Sequence, residues 1–338
     1  MKQFNCPKCS STIYFENTRC ESCRSNIGYE FQTEEFVLVE NIPSNKYQHC
    51  LNYNDAVCNW VVEAKSSPTL CIACKLNRGV PNPADLENFS KWQKLEFAKH
   101  RLVYQLQKLR LPLKPKIENR QGLAFDFLSE NNREHVKTGH ADGVVTIILS
   151  EADSVHREQL RKQMDEAYRT LLGHFRHEIG HYYWPLLFDN KSLNQFRTHF
   201  GDETIDYSEA LENHYKNGAP ENWQDNYISK YASSHPWEDW AETWAHYLHI
   251  IDTLETANSL GIEFRDSKGK LKVKCPNPYK EDNFEAIFDS SMELTRAANS
   301  LNRAMGLTDI YPFVVAKPVY KKLEFIHNIL QGHDLSLN

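Results

Sequence analysis

The cysteines of this chain are concentrated at its N-terminal end. Of nine cysteines, all but Cys275 lie before residue 75. In a reducing compartment such clustered thiols usually bind metal rather than form disulfides. A segment this short cannot bury a core large enough to fold alone, so metal binding would supply much of its stability. We therefore expect small metal-stabilised modules at the N-terminal end, and a free thiol at Cys275.

The first four cysteines form two C-x-x-C pairs, Cys6 with Cys9 and Cys20 with Cys23. Each pair turns the backbone so that two thiolates converge, and two pairs complete a tetrahedral S₄ set, which selects Zn²⁺. A disulfide is the alternative, but the chain shows no secretory signal that would favour it. Residues 1–30 are predicted to be a β-rich zinc ribbon with one structural zinc ion.

Residues 31–80 contain a second set of cysteines with one further C-x-x-C pair. The composition favours a second Cys₄ module with its own structural zinc ion. His49 is a less favoured substitute for the first cysteine of this set. The expected ligands are Cys50, Cys58, Cys71 and Cys74.

The charge pattern gives no reason to expect nucleic-acid binding. Through residue 80, Lys and Arg balance Asp and Glu with eight of each, and the whole chain has a formal net charge of -6. Four thiolates around one Zn²⁺ leave a formal charge of about -2 per site. Because phosphate binding requires the opposite sign, we expect either a structural role or a protein partner for the ribbons.

The chain shows no sign of a membrane-bound or exported protein. No segment approaches the roughly 18 consecutive apolar residues that a transmembrane helix needs. The start, MKQFNCPKCS, has no apolar stretch behind its basic residue. We expect no membrane association and a cytoplasmic location.

A second candidate metal site lies in the sequence HEIGH. On a helix, His177 and His181 are four residues apart and lie on one face, with Glu178 beside them. Two neutral imidazoles in this arrangement can hold a catalytic Zn²⁺, while the glutamate stays unligated and acts as a general base toward water. The alternative is a pair of hydrogen-bonded core histidines. Apolar residues at steps of three and four from Leu160 through Met164 to Tyr182 predict one long helix.

The third ligand of this site must come from another part of the chain, because Trp184 occupies a position where one extended pattern requires glycine. A later helix, predicted to begin after Ser234 or His235, supplies carboxylates. Acidic groups on so aromatic a helix are costly unless they are paired or metal-bound. The residues that share one face at steps of four, four and three are Glu238, Glu242, His246 and His249.

Other elements follow from periodicity and turn residues. A helix is predicted to begin with Asn82 as its N-cap and Pro83 in its first turn, and to end near Arg110. Strands are predicted at 124–130 and 143–149. Two or three helices are expected after Asn283.

Taken together, HFRHEIGHYYW, the FGD of residues 200–202, SSHPWEDWAETWAHYLHI and the cysteine pairs resemble a family of bacterial zinc-dependent metallopeptidases with an N-terminal zinc ribbon. The segment from Glu238 to Glu242 is similar to the E-x-x-A-D pattern of gluzincins, with Glu as its last residue. The resemblance implies that Glu238 is the third zinc ligand and that Glu242 accepts the ring N–H of His177 or His181. It also implies an α+β fold, in which a mostly helical gluzincin-like domain with a small sheet occupies residues 83–338 and follows the ribbon modules.

The sequence thus leads to the hypothesis of zinc-dependent hydrolysis of a peptide or protein substrate. Glu178 would take a proton from water and pass it to the leaving amine. Tyr231, His235 and His246 are possible donors to the developing oxyanion. The main alternative is a zinc-ribbon adaptor or regulator whose peptidase-like domain is inactive or acts on one specific partner.

Overall fold

The computed structural model describes residues 1–39, 46–67, 69–82, 84–129, 138–163, 166, 168–189 and 192–332. The chain divides into two compact units. The first comprises residues 1–139 and 143–153, and the second comprises residues 140–142 and 154–338. The described elements are mainly helices accompanied by small sheets, so the predicted α+β class is confirmed.

Short strands build the cysteine-rich part of the first unit. They are β1 (Phe4–Asn5), β2 (Thr12–Ile13), β3 (Ile27–Glu30), β4 (Glu35–Leu38), β5 (Tyr47–His49) and β6 (Trp60–Glu63), followed by helix α1 (Ile72–Lys75) and strand β7 (Asn77–Gly79). Strands β1 and β2 pair antiparallel. A four-stranded sheet has the order β4-β3-β6-β5, with β3 and β6 parallel. This sheet contains strands from both predicted modules, residues 1–30 and 31–80. The boundaries of these modules and of the predicted domain at 83–338 stay predictions.

Helix α2 (Leu86–Lys108) begins later than predicted. Asp85 is its N-cap, because the Asp85 side chain accepts a hydrogen bond from the Asn88 backbone N–H at 3.2 Å. The predicted N-cap, Asn82, was wrong: its side chain accepts from the backbone of Ala84 at 3.0 Å and forms a separate turn. Pro83 lies outside the described residues.

Aromatic rings form the core between these strands and α2. The Phe15 and Tyr29 ring centroids are 5.1 Å apart, and those of Tyr29 and Trp60 are 5.0 Å apart. Tyr104 of α2 contacts the same cluster, with its ring 5.4 Å from that of Phe15. Burial of these large rings anchors α2 to the cysteine-rich strands.

The rest of the first unit contains the two predicted strands. They are β8 (Ala124–Leu128) and β10 (Val144–Ile148), which pair in parallel, and β7 pairs in parallel with β8 on its other side. Residue 130 of the first predicted strand lies outside the described residues. A short strand, β9 (Gly139–Ala141), falls where the sequence passes between the two units.

The second unit is mainly helical. Its helices are α3 (Ser154–Gln163), α4 (Leu171–Leu187), α5 (Leu193–Phe200), α6 (Tyr207–Asn217), α7 (Pro236–Ser259), α8 (Phe284–Ala304) and α9 (Lys317–Gly332). A two-stranded sheet of β11 (Glu263–Arg265) and β12 (Leu271–Lys274) lies between α7 and α8 in the sequence. The predicted start of α7 and the predicted C-terminal helices are confirmed. Among the described residues no helix is both long enough and apolar enough to span a membrane.

The single long helix predicted across Leu160 to Tyr182 was wrong, because the chain forms α3 and α4 instead. Thr170 has an extended backbone, and its side chain accepts a hydrogen bond from the Gly173 N–H at 3.0 Å. This cap begins a new helix where periodicity alone indicated continuity. Met164 lies outside the described residues.

Helices α4 and α7 pack very closely at Gly180. A Cβ atom placed on Gly180 would lie 3.1 Å from the Cα of Ala241 and 3.2 Å from a ring carbon of Trp244. The Trp240 indole N–H donates to the Gly180 carbonyl at 2.9 Å. Because glycine leaves this space open, the side chains near the crossing can converge from both helices.

Candidate metal centres and active site

Two imidazoles of α4 face a single point. His177 and His181 lie one helical turn apart, and their Nε2 atoms are 3.3 Å from each other. Their rings are oriented almost perpendicular to one another, with an interplanar angle of 79°. The two residues therefore lie on one face of α4, as the sequence predicted.

The carboxylate of Glu238 reaches the same point from α7. Its Oε2 lies 3.0 Å from His177 Nε2 and 3.5 Å from His181 Nε2. Glu238 is only 1% exposed, and its Oε2 has no hydrogen-bond partner among the described residues. Its other oxygen, Oε1, accepts a hydrogen bond from the Tyr207 hydroxyl at 2.6 Å. We refer to His177, His181 and Glu238 as the histidine site.

The electrostatics of the histidine site favour a positive charge at its centre. Burial alone lowers the pKa of His177, but the carboxylates of Glu238 and Glu242 outweigh it and hold that pKa well above its usual value. Burial raises the pKa of Glu238, yet His181 and His177 outweigh it and bring that pKa well below its usual range. Three such atoms can converge in a buried site only around a shared proton or a cation.

Glu242 lies on the far side of the His177 ring. Its Oε1 is 2.7 Å from His177 Nδ1, and its Oε2 accepts from the Ser229 hydroxyl at 2.7 Å. Burial raises the pKa of Glu242, but His177 outweighs it and lowers this pKa to about 2. A carboxylate only accepts at this pKa, so Nδ1 carries the hydrogen and Nε2 is left to face Glu238.

Glu178 is buried on α4 beside the two histidines. Its carboxylate is close enough to Tyr207 and Tyr231 to influence both phenols. Burial is the main cause that raises the pKa of each tyrosine, and the charges of Glu238 and Glu178 add to it. Glu178 therefore borders the same space as the histidine site.

The three candidate oxyanion donors differ in their surroundings. The Tyr231 ring lies 6.0 Å from that of His177. His235 uses both ring nitrogens elsewhere, because Nδ1 accepts from the Trp237 backbone N–H at 3.0 Å and Nε2 donates to the Ile205 carbonyl at 3.2 Å. His246 is bound through Nδ1 to the Tyr311 hydroxyl at 2.6 Å. Tyr231 thus contacts the His177 ring, and its phenol also forms a hydrogen bond with that of Tyr207.

Tyr207 contacts Glu238 and Ser229 contacts Glu242, and the sequence interpretation missed both contacts. Tyr207 is the first residue of α6, where Asp206 caps the helix through the Glu209 N–H. Ser229 precedes α7 in a loop. Neither residue has a spacing relative to HEIGH that sequence reasoning could use, so only their tertiary contacts with α7 reveal them.

The first cysteine site consists of Cys6, Cys9, Cys20 and Cys23. The Cys6 and Cys23 sulfurs are 3.6 Å apart, as are those of Cys9 and Cys20. All four ligand atoms lie within 4.8 Å of one another. Each C-x-x-C pair is followed directly by a residue with positive φ, namely Ser10 at 60° and Arg24 at 61°. These left-handed residues turn the backbone so that the paired thiols face each other.

The second cysteine site consists of Cys50, Cys58, Cys71 and Cys74. All four residues are buried, and their sulfurs lie within 4.8 Å of one another, with Cys58 and Cys71 3.7 Å apart. Zn–S bonds of about 2.3 Å in a tetrahedron place sulfurs about 3.8 Å apart, so both cysteine sites have dimensions that suit zinc. His49 instead stacks on the Tyr53 ring at 3.8 Å.

This chain combines a helical unit that contains a two-histidine, one-carboxylate cluster with two four-cysteine clusters. Together these features define a zinc-binding protein of the metallopeptidase class. This chain belongs to the family described as "Putative zinc-binding metallo-peptidase", which matches residues 88–329. Residues 3–85 match a family described as a zinc-ribbon domain. The resemblance noted in the sequence is thereby confirmed at the level of a zinc-binding metallopeptidase family with an N-terminal zinc ribbon.

The chain is also similar to mycobacterial proteins along nearly its full length. An uncharacterized protein of Mycobacterium tuberculosis and one of Mycobacterium bovis are each 42% identical to it over 333 residues. The alignment covers 98% of this chain and 95% of each relative. No solved structure matches the chain.

Proposed function

We propose that the chain hydrolyses peptide bonds at the histidine site, with His177, His181 and Glu238 as ligands of a catalytic zinc ion and Glu178 as the general base. The observation that carries this proposal is the convergence of two imidazole nitrogens and one buried carboxylate oxygen within 3.0–3.5 Å of one another. The two cysteine sites would hold structural zinc ions.

The dimensions of the histidine site fit zinc. Bonds of about 2.0 to 2.1 Å in a tetrahedron place ligand atoms about 3.3 to 3.4 Å apart, which the three observed separations bracket. The buried Oε2 of Glu238, which has no partner among the described residues, supplies a negative charge that a cation would satisfy. Three protein ligands are also the usual number for a catalytic zinc ion, which keeps one position open for water or substrate.

When bound, zinc would supply Lewis acidity toward the substrate carbonyl and toward water. Glu178 would take the proton from the attacking water and deliver it to the leaving amine. Tyr231 would donate its phenolic hydrogen to the developing oxyanion, because its high pKa keeps it protonated at neutral pH. Burial around Glu178 and Glu238 excludes water that would weaken these interactions.

Glu242 and Tyr207 would act by positioning the ligands. Glu242 accepts the Nδ1–H of His177 and so orients the imidazole with Nε2 toward the metal position. Tyr207 holds Oε1 of Glu238, which leaves Oε2 directed at the two imidazoles. Such hydrogen-bonded partners typically change metal affinity by about 10- to 100-fold when they are removed.

The test compares wild type with Glu178→Gln on a diverse pool of peptides, and new N-termini are detected by chemical labelling. We expect cleavage by wild type and none by the variant, while zinc content measured by mass spectrometry stays equal. Glu212→Gln, at an exposed position of α6 in the same unit, is the matched control and should cleave like wild type.

The outcomes separate the hypotheses. Full activity of Glu178→Gln would remove the general-base assignment while leaving the metal site in place. A wild-type protein that retains zinc at all three sites yet cleaves no peptide would contradict the peptidase proposal, and the adaptor hypothesis would replace it. Capture of the same protein partner by wild type and Glu178→Gln would then identify what the adaptor binds.

A further inference from the structure

Two large aromatic side chains are exposed next to the histidine site. Trp237 and Tyr207 are each 38% exposed, and their ring centroids are 6.3 Å apart. We refer to these two residues, which both belong to the second unit, as the aromatic patch. Exposed apolar side chains that lie together often form a binding surface, whereas scattered ones need no explanation.

The aromatic patch is continuous with the residues of the histidine site. The Trp237 ring lies 6.5 Å from the His181 ring, and Trp237 directly precedes Glu238 in α7. The Tyr207 hydroxyl donates to Glu238 at 2.6 Å, so an exposed ring is anchored directly to a candidate ligand. A peptide held at the histidine site would therefore pass beside these two rings.

Buried neighbours hold the aromatic patch in place. The His235 ring accepts from the Trp237 backbone N–H at 3.0 Å and donates to the Ile205 carbonyl at 3.2 Å. The same imidazole contacts both rings of the patch edge-on, at 5.1 Å from Tyr207 and 6.2 Å from Trp237. Trp184 of α4 packs against Trp237 with ring centroids 5.3 Å apart. A surface fixed in this way loses little conformational freedom when it binds a ligand.

The chemistry of the aromatic patch selects its occupant. An exposed indole beside a phenol ring gains most from a second ring, through edge-to-face or offset contacts and through removal of apolar surface from water. A large aliphatic side chain gains the second of these effects only. A small or charged side chain gains neither, so the group that matches the patch is a large apolar one.

We propose that the aromatic patch binds a large apolar side chain of the substrate, aromatic above all, next to the scissile bond, and that Trp237 determines this specificity. The substrate class is therefore peptides with such a residue at that position. The inference rests on the proposed function, because a metal ion at the histidine site must hold the substrate backbone beside the patch. His235 is a positioning residue, since it fixes the backbone of Trp237 and contacts both rings.

The direct test measures the affinity of the zinc-loaded, full-length protein for two chelators, N-acetyl-phenylalanine hydroxamate and N-acetyl-glycine hydroxamate. The two compounds share the zinc-binding group and differ only in the side chain. We expect wild type to bind the phenylalanine compound about 10-fold more tightly than the glycine compound. Trp237→Ala should lose most of this preference but bind the glycine compound like wild type, and Trp237→Phe should retain most of it. Leu301→Ala, an exposed apolar position of α8, is the matched control and should keep the wild-type preference.

A second measurement on wild type does not depend on how the variants fold. Nuclear Overhauser effects should connect the phenyl protons of the bound phenylalanine compound with the indole protons of Trp237. Equal affinity of wild type for the two compounds, or phenyl contacts only with residues outside the aromatic patch, would overturn the proposal. If Trp237→Ala loses affinity for both compounds, its metal site is disturbed and the phenyl contacts in wild type decide.

These results separate the specificity proposal from the peptidase proposal, because neither measurement requires hydrolysis. A wild-type protein that cleaves no peptide yet keeps the 10-fold preference, about the expected value, would contradict the peptidase function and leave the aromatic patch as a binding surface. Cleavage that is indifferent to the side chains beside the scissile bond would overturn the specificity proposal alone. Self-association that Trp237→Ala abolishes, together with equal affinity for the two compounds, would make the patch an interface between copies of the chain and overturn the proposal. Failure of both compounds to bind the zinc-loaded protein would overturn both proposals.

Discussion

Replacement of Gly180 by alanine tests whether the close approach of α4 and α7 builds the histidine site. The added Cβ would meet the Ala241 Cα at 3.1 Å and two Trp244 carbons at 3.2 and 3.3 Å. Optimal carbon contacts are about 3.5–4.0 Å, so the helices must separate by several tenths of an ångström. Neither neighbour can yield easily, since one is backbone and the other is a fully buried indole.

The magnitude follows from two opposing effects. Overpacking of a core typically costs about 1–3 kcal/mol, while alanine gains about 0.8–1.0 kcal/mol over glycine in helix propensity. We therefore expect the free energy of unfolding of Gly180→Ala to fall by about 1 kcal/mol. The shift of α7 moves Glu238 away from the two imidazoles by more than the roughly 0.2 Å tolerated in a metal bond, so zinc affinity at the histidine site should fall as well.

The assay combines denaturant unfolding with a competition titration that measures zinc affinity at each site. The two cysteine sites serve as internal controls, because they lie in the first unit and should keep their affinities. A Gly180→Ala protein that is more stable than wild type and binds zinc unchanged at the histidine site would refute the argument, since the helices would then have room that the structure does not show.

Further predictions concern single contacts in the second unit. Tyr207→Phe removes the hydroxyl that donates to Glu238 and should lower the free energy of unfolding by about 1.5–3 kcal/mol. An unchanged denaturation midpoint would contradict this hydrogen bond. Lys322→Met leaves the buried carboxylate of Asp239 without its partner at 2.6 Å and should lower the free energy of unfolding by about 3–5 kcal/mol. The double variant that adds Asp239→Asn should regain part of this loss. Equal stability of the single and double variants would argue against the ion pair. Burial lowers the pKa of His246 from 6.5 to about 4. As the pH decreases from about 6.5 to 4, the unfolded chain binds a proton at His246 before the folded protein does, so the folded state loses stability. A pH series should show wild type losing about 3 kcal/mol of unfolding free energy relative to His246→Gln over this range. Parallel stability curves for the two proteins would exclude this linkage. Chelation of zinc should unfold the cysteine-rich strands but leave α8 and α9 helical by circular dichroism, and loss of all helical signal would contradict two separate units.

The sequence was most informative where chemistry depends on short spacings. The C-x-x-C pairs and the pair His177 and His181 are defined by local backbone geometry, so their convergence could be predicted. The start of α7 was equally predictable, since Pro236 is typical of the first turn of a helix.

Other features depend on contacts between distant segments and could not be predicted. The break between α3 and α4 depends on Thr170, whose capping role competes with an uninterrupted apolar periodicity. Tyr207 reaches Glu238 through tertiary packing, and no spacing rule connects it to a metal ligand. The start of α2 was misassigned because Asn82 and Asp85, three residues apart, each cap a turn, and Asp85 is the one that caps the helix.

The choice between Glu238 and Glu242 shows why the third ligand is the hardest assignment to make from sequence. The two residues are one helical turn apart on α7, and both reach the His177 ring, Glu238 at Nε2 and Glu242 at Nδ1. Only Nε2 of His177 also lies near His181, so the carboxylate on that side is the one that can share a metal with both imidazoles. Which glutamate occupies that side depends on the rotation of α7 about its own axis, and the close approach at Gly180 constrains this rotation. We therefore expect substitutions that widen the crossing to weaken the proposed ligand role of Glu238 before they disturb either histidine.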